Sequence, residues 1–458
     1  MFVGRTKELN NIKSALKNSN EHIIIYGNRR VGKTTLANKA AEESKIEYVS
    51  FECLKSSLKD NVHSLMKELV RKEIVSSYLP FDSFTDLFAY LDSLNKRIVF
   101  IIDEYPYLYV KNDNDEVDST FQIMIDKYCS HFNVILSGSH IGMMKALVKR
   151  GNPLFGRFNT VISLKELNYL EASEFCSHLS NYDKAAFYAV FGGSPYILRQ
   201  LNYHESLEYN IKNTFLNDMS SISMFVSENY TSDVSMRASA NSIFEILGNS
   251  KEKHSRIEEA LGYEHNGLLS KQLDLLVEME FITRNEPINK IGNKKKASYS
   301  IKNNALRFYY TYVYGMNNAL LSLGADEFYE KFISSSVNTF ISYRFEDIAR
   351  TFISILVKSK TLKDIYNIGT YYYDDPKEKR NGEFDIAVAL KEGFDIIEAK
   401  YWNNKVDKET VINEIAQIKN ITELDVKDYG FIAINGFEDD VPKLKYMFNG
   451  DDLYFVNK

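Results

Sequence analysis

Apolar and polar residues follow a repeating rhythm through the first third of the chain. Residues 5–18 place apolar side chains at helical spacing, HIIIYG reads as a short buried strand ending in Gly27, and a second helical stretch follows. The same order returns with IEYVSFEC, an amphipathic stretch, RIVFIIDEYPYL, a further helical stretch and NVILSGSH. Apolar strands alternating with helices predict an α/β fold whose parallel sheet is covered on both faces. Beyond residue 165 the pattern turns helical, with LKELNYLEASEFCSHL and then FGGSPYILRQL, which a Gly-Gly pair and a proline interrupt. From 236 to 300, SIFEILGN, SRIEEALGY and LLSKQLDLLVEMEFITRNEP read as helical stretches and INKIGNKKKASYSI as a hairpin, the order of a winged helix. Farther on, EFDIAVAL and FDIIEAKYW flank KEG as a β-hairpin, with helices near 335–357 before it and near 408–420 after it.

These shifts divide the chain into an α/β core (1–165), a helical region (166–235), a winged helix (236–315) and a second α/β domain (316–458). The length of 458 residues allows about three domains with their own cores. With 7 Pro and 21 Gly, their boundaries are expected to be short loops. Sixty-two acids against 56 bases give a net charge of −6, so any contact with DNA or RNA has to be local. Cys53, Cys129 and Cys176 are far apart and lack metal-type spacing, which fits a reducing cytoplasm. The N-terminal MFVGRTKELNNIKSALK lacks the apolar stretch of a signal peptide, and no membrane-spanning run occurs, so no membrane partner is expected.

The first chemical signal is Gly27-Asn28-Arg29-Arg30-Val31-Gly32-Lys33-Thr34, followed by Thr35, a P-loop pattern set between a strand and a helix. Such a loop turns backbone N–H groups toward a triphosphate. Lys33 then charges the β- and γ-phosphates, and Thr34 offers a hydroxyl to Mg²⁺. A buried strand delivers Asp103 and Glu104 at its carboxyl end, Asp103 suited to the Mg²⁺ shell and Glu104 to polarising water. On its own the pair also reads as a solvated strand end. NVILSGSH ends in Ser137, Gly138 and Ser139, a polar sensor of the γ-phosphate or a simple turn.

FVGRTKEL, YGNRRVGKTTL, FIIDEYPYL, LSGS, PLFGRF and FGGSP occur in the order seen in prokaryotic, archaeal-type ATPases related to AAA and STAND proteins, which this region resembles. The resemblance implies ATP as the ligand and a helical lid over 166–235, with Gly192, Gly193 and Pro195 as its marker. It implies Arg157 as an arginine finger or sensor, although Arg157 reads equally as a surface salt-bridge partner. Self-association into a homo-oligomer is compatible with this kinship.

In the winged-helix stretch Lys271 and Gln272 lie where a recognition helix would enter a major groove, and Lys294, Lys295 and Lys296 lie in the wing. Glu278, Glu280 and Glu286 weaken the electrostatic case, and packing between flanking domains is the competing role.

The last constellation is Asp385, Glu398 and Lys400. With a two-residue loop at Glu392–Gly393, Lys391 pairs with Phe394 and Asp385 faces Lys400, so that all three share one face. Two acids holding Mg²⁺ and a lysine suit phosphodiester hydrolysis, although alternating charges also suit an exposed hairpin. The set resembles the nucleases named for a Pro-Asp, Asp/Glu-X-Lys motif, with Phe384 in place of the proline. That resemblance implies Glu346 as an additional acid and Gln417 as a polar helper. The whole chain, with YSIKNNALRFYYTYV and Trp402 after EAKY, resembles a prokaryotic family that fuses the ATPase to such a domain of unknown function. The family usually has an acid at Asn303 or Asn304. Two functions follow as expectations. In one, ATP binding and hydrolysis control the winged helix and a Mg²⁺-dependent nuclease acting on DNA or RNA. The other is a STAND-like switch with a non-catalytic C-terminal interaction domain.

Overall fold

The computed structural model describes residues 2–229, 237–262, 267–375, 380–421 and 425–455. These form two compact units, Met1–Leu167 with Ser194–Tyr196, and Asn168–Gly193 with Ile197–Lys458.

In the first unit the strands are β1 (Ile23–Tyr26), β2 (Glu47–Glu52), β3 (Ile98–Asp103), β4 (Phe132–Gly138) and β5 (Thr160–Ser163). They form one all-parallel sheet in the order β2-β3-β4-β1-β5. Every residue of β3 and β4 is buried, as a strand covered on both faces requires. One core, including Phe88, Phe100, Phe121 and Phe132, fills one side, and Leu36, Ala37, Ala40 and Ala41 of the helix Lys33–Ser44 cover the other. The fifth strand is absent from the apolar pattern because it is short and Val161 is exposed.

The second unit starts with short helices. LKELNYLEASEFCSHL is not one helix: Asn168 caps a single turn, Tyr169–Ala172, through a reciprocal pair with Glu171, and a 3₁₀ turn follows. The helix Arg237–Asn249, β6 (Glu252–Lys253), helices His254–Leu261 and Leu268–Glu278, β7 (Ile282–Asn285) and β8 (Ser298–Ile301) come next. Strands β6-β8-β7 form an antiparallel sheet.

The C-terminal sheet contains β9 (Asn367–Asp375), β10 (Arg380–Ala389), β11 (Phe394–Lys400), β12 (Val426–Ala433) and β13 (Tyr446–Asn449), ordered β13-β12-β11-β10-β9. Pairing is antiparallel at β9–β10 and β10–β11 and parallel at β11–β12 and β12–β13. The helix Val337–Lys358 packs across β9, β10 and β11. Ile418 and Ile421, at the end of the helix Lys408–Lys419 and just beyond it, meet Ala387 and Ile396 in a small core.

The four expected segments are distributed over these two units. The boundary at 165 falls two residues before Leu167, whereas the stretches 166–235, 236–315 and 316–458 mostly join one unit. The boundary at 235 lies outside the described residues. The physical reason is the wing. The loop between β7 and β8 pairs with the edge strand β9: Ile288 N–H donates to Thr370 O at 2.8 Å, Asn289 Nδ2 to Tyr372 O at 2.8 Å, and Tyr372 N–H to Asn289 Oδ1 at 3.1 Å. Ile288 packs into the small C-terminal core, and the Lys296 ammonium sits 3.9 Å from the Tyr372 ring centre.

Candidate functional site

The first site lies at the carboxyl ends of β1, β3 and β4, where open parallel sheets accept ligands. After β1 the chain passes through left-handed backbone at Arg30 (φ 62°) and Gly32 (φ 96°) and enters the helix at Lys33. At Gly27 a Cβ would lie 2.1 Å from the Leu164 carbonyl oxygen, so only glycine admits this approach. Arg5, in the N-terminal FVGR run, donates to Val31 O at 3.3 Å and also to Lys165 O, which ties the loop to the segment after β5. Its role was not legible in the sequence, where it reads as one charge on a helix. Lys33 is buried and donates to Gly27 O and Asn28 O, both at 3.1 Å. The Arg30 guanidinium stacks on Tyr196, 3.6 Å from the ring centre. Asn28 and Arg29 are partly buried, Val31 is buried and Thr35 is exposed.

The acids are arranged by hydrogen bonds. Asp103 accepts from Thr34 Oγ1 on one carboxylate oxygen and from Ser137 Oγ at 2.5 Å on the other. A hydroxyl and a carboxylate in contact fit a shared Mg²⁺, and the loop's N–H groups at a helix N-terminus fit the phosphates. Glu104 adopts left-handed backbone (φ 49°) and accepts from Ser139 N at 3.0 Å and Ser139 Oγ at 2.9 Å. Tyr105 and Tyr109 anchor the turn behind it by donating to the buried Asp118 at 2.8 and 2.6 Å. Ser137 therefore positions Asp103, and Ser139 is the serine that meets Glu104.

Arg157 lies in a surface salt bridge. Its guanidinium grips Asp126 with two bonds, Nε at 2.8 Å and Nη2 at 2.7 Å, and Nη1 donates to Pro153 O at 2.7 Å. The hydrogen bonds from Arg157 hold the Asp126 carboxyl below its ordinary range.

The second site is the C-terminal acid cluster. The hairpin register differs from the expectation. Ile386 pairs with Ile397 and Ala389 with Phe394, and Leu390 N–H donates to Gly393 O at 3.1 Å. The tight loop is Lys391–Glu392, because Gly393 (φ 80°) supplies the left-handed residue that closes it. The slip is two residues, which preserves the faces but brings Asp385 level with Glu398 instead of Lys400. Asp385 also lies in an irregularity of β10, where the pairing with β9 jumps between Phe384 and Ala387. A bulge of this kind re-aims a side chain, a frequent device beside active sites. Arg350 of the helix Val337–Lys358 holds the bulge by donating to Asp385 O at 3.1 and 3.0 Å.

Glu346, Asp385 and Glu398 belong to one electrostatic system. Burial and the neighbouring Asp385 carboxylate push Glu346 and Glu398 each up to about 8, and burial raises Asp385 as well. Lys400 Nζ lies 3.7 Å from Glu398 and donates to Glu414 at 2.5 Å. Burial works against its charge, yet Glu398, Glu414 and Asp385 together carry its pKa above the ordinary lysine value. Among the described residues no three acidic, histidine or cysteine side chains converge as a metal cage. Asp385 and Glu398 still suit Mg²⁺, which keeps several waters and commonly takes only one or two carboxylates. Gln417, the expected helper, is exposed; Glu414 reaches the lysine instead. The signal for Glu414 was its place beside the stripe formed by Val411, Ile415 and Ile418.

The winged-helix residues are a correction too. Lys271 is exposed, but Gln272 is only 5% exposed and faces inward, so it cannot read a groove. Lys294 and Lys295 are exposed, whereas Lys296 is engaged at Tyr372, the packing role that competed with DNA contact. No helix among the described residues is long and apolar enough to cross a membrane.

Fold and loop together define a P-loop ATPase domain. Residues 2–201 match an ATPase domain family predominantly from Archaea, and residues 309–412 match a family of archaeal and bacterial proteins of unknown function. The first part of the chain is thus an archaeal-type ATPase domain, for which nucleotide binding is expected. An uncharacterised protein of Methanocaldococcus jannaschii is 29% identical over 472 aligned residues, covering 99% of both chains. The structure of a Walker-type ATPase from Pyrococcus abyssi is similar in fold, with a TM-score of 0.52 at 16% identity, over 68% of this chain and 96% of that one. The Aeropyrum pernix ORC2 protein, solved with ADPNP and ADP, gives a TM-score of 0.45 at 11% identity, over 69% of this chain and 94% of that one.

Proposed function

We propose that this protein is an ATP-hydrolysing machine whose nucleotide state governs a Mg²⁺-dependent, nuclease-like domain acting on DNA or RNA. In the first site Lys33 neutralises the β- and γ-phosphates, Thr34 and Asp103 hold the cation, and Glu104, steadied by Ser139, polarises the attacking water. The observation that carries the second half is the cluster of Asp385, Glu398 and Lys400 with Glu346, acids whose pKa values are raised first by burial and, for Glu346 and Glu398, also by the neighbouring Asp385 carboxylate. Mg²⁺ held by Asp385 and Glu398 would supply charge neutralisation at a phosphodiester and a more acidic bound water. Lys400, aligned by Glu414, stabilises negative charge developing on the phosphate.

The helices and sheet of residues 237–301, in winged-helix order, serve as a mechanical joint. Their wing is hydrogen-bonded to β9, so a shift of the wing moves the sheet that carries Asp385. Three buried, unpaired cysteines suit a cytoplasmic location. Incubation of the full chain with Mg²⁺ and labelled DNA and RNA, with and without ATP, tests the reading. Cleavage lost in Lys400→Ala is expected; no cleavage sensitive to this change on any substrate removes the nuclease half.

A further inference from the structure

Beside the acids lies a cavity of about 340 Å³, walled by the helices Asn304–Tyr312 and Val337–Lys358, the Ser250–Lys251 turn and strands β7 to β10. Its size falls within the range of small-molecule pockets, roughly 300–1,000 Å³. Guanidinium groups dominate its chemistry. Arg307 is 5% exposed and Arg344 8%, and each leaves a buried nitrogen without a hydrogen-bond partner, Nη1 of Arg307 and Nε of Arg344. Buried charged donors are costly to leave unmet.

The local acids do not meet this demand. Asp347 is shared between Arg344 at 3.1 Å and Arg350 at 2.7 Å, and Glu383 is taken by Lys251 at 2.8 Å. Arg307 has no carboxylate within ion-pair distance among the described residues. Burial and the neighbouring Arg344 push its guanidinium down to about 9, against the weaker pull of Asp347 and Glu346. Two under-used guanidinium groups facing one cavity match a tetrahedral oxyanion, which accepts several N–H donors at once. The space exceeds what a lone ion fills. Tyr343, 55% exposed, also lines it and offers a ring on which a base can stack. Glu346 lines the same cavity, so an ester held by the arginines lies next to the acid cluster.

We propose that this cavity binds the phosphate of a nucleotide, with Arg307 and Arg344 holding the phosphate oxygens and Tyr343 the base. The choice of occupant rests on the nuclease reading above, whereas the anion chemistry stands on the arginines alone. The bound phosphate comes either from a strand end or from a free nucleotide.

The test uses the full chain carrying Lys33→Ala, which removes nucleotide binding at the P-loop. Affinities are measured for a short 5′-phosphorylated oligonucleotide, its 5′-hydroxyl twin, the free mononucleotide and inorganic phosphate. The phosphorylated oligonucleotide or the mononucleotide, according to the source, is expected to bind about tenfold or more tighter than the hydroxyl twin. Arg307→Gln and Arg344→Gln are expected to remove this preference. Tyr343→Ala, a change at an exposed position, weakens the nucleotide-bearing probes and leaves inorganic phosphate unaffected, so the proposal stays testable if an arginine variant fails to fold. Equal binding of phosphorylated and hydroxyl probes without preference for the mononucleotide, or binding indifferent to all three substitutions, overturns it. Phosphate preference without cleavage defeats the nuclease reading and leaves the pocket standing; cleavage without phosphate preference does the reverse.

Discussion

The two candidate sites hold their acids in opposite ways. In the P-loop unit each carboxylate is met by hydroxyl or backbone donors, Asp103 by Thr34 and Ser137 and Glu104 by Ser139. In the C-terminal unit Glu346, Asp385 and Glu398 are buried carboxyls, the two glutamates each beside Asp385, with Lys400 as the opposing charge beside Glu398. The first arrangement satisfies its carboxylates within the fold. The second holds carboxyls whose ionisation burial opposes first and the Asp385 charge second, so stability and function pull against each other there and not at the P-loop.

The largest expected effect separates the sites by chemistry. Glu104→Gln should lower ATP hydrolysis by ~10²–10⁴-fold with nucleotide binding retained, measured as phosphate release, and should leave basal, ATP-independent cleavage intact. Equal loss of both activities would merge the two sites into one. Lys400→Met comes next, with cleavage reduced by ~10²–10³-fold at unchanged ATP hydrolysis.

A smaller effect tests this opposition to ionisation. The pKa values of Glu346 and Glu398 are raised in the folded protein to about 8, so the folded state holds protons that the unfolded chain releases. Their stabilising contribution is full below the ordinary carboxylate range and is lost as pH rises toward about 8. Asp385→Asn should therefore raise the free energy of unfolding at pH 8 more than at pH 5, by the order of ~1 kcal/mol, read from denaturant titration. A change that destabilises equally at both values would make Asp385 a structural residue. Least of all, replacing Lys294 and Lys295 by Gln should alter nucleic-acid affinity by less than ~twofold with an unchanged salt slope. A steep loss would return the wing to a DNA-binding role.

The same contrast explains what the sequence disclosed. The P-loop site is legible because its parts are contiguous: one loop, one strand end and one serine-bearing strand, each an apolar run closed by polar residues. Arg5 was hidden, since its partners Val31 and Lys165 are distant in sequence. The hairpin strands were equally plain, but their register depended on whether Gly393 sat inside the turn or closed it, and alternation alone does not decide that. Glu414 and Gln417 are three residues apart on one helix, and only the packing of Val411 and Ile418 shows which of them faces Lys400. The wing carries two isoleucines, Ile288 and Ile291, and only the structure shows that Ile288 docks while Ile291 stays exposed.

The central claim, that the second unit carries a metal-dependent phosphodiester site separate from the ATPase, is tested most directly by anomalous scattering from crystals of the full chain soaked with Mn²⁺ and a nonhydrolysable ATP analogue. The account predicts two peaks, one at Thr34 and Asp103 and one at Asp385 and Glu398, the second lost in Asp385→Asn. A peak at the P-loop with none at Asp385 and Glu398 would contradict it and leave the C-terminal unit as a binding surface governed by ATP.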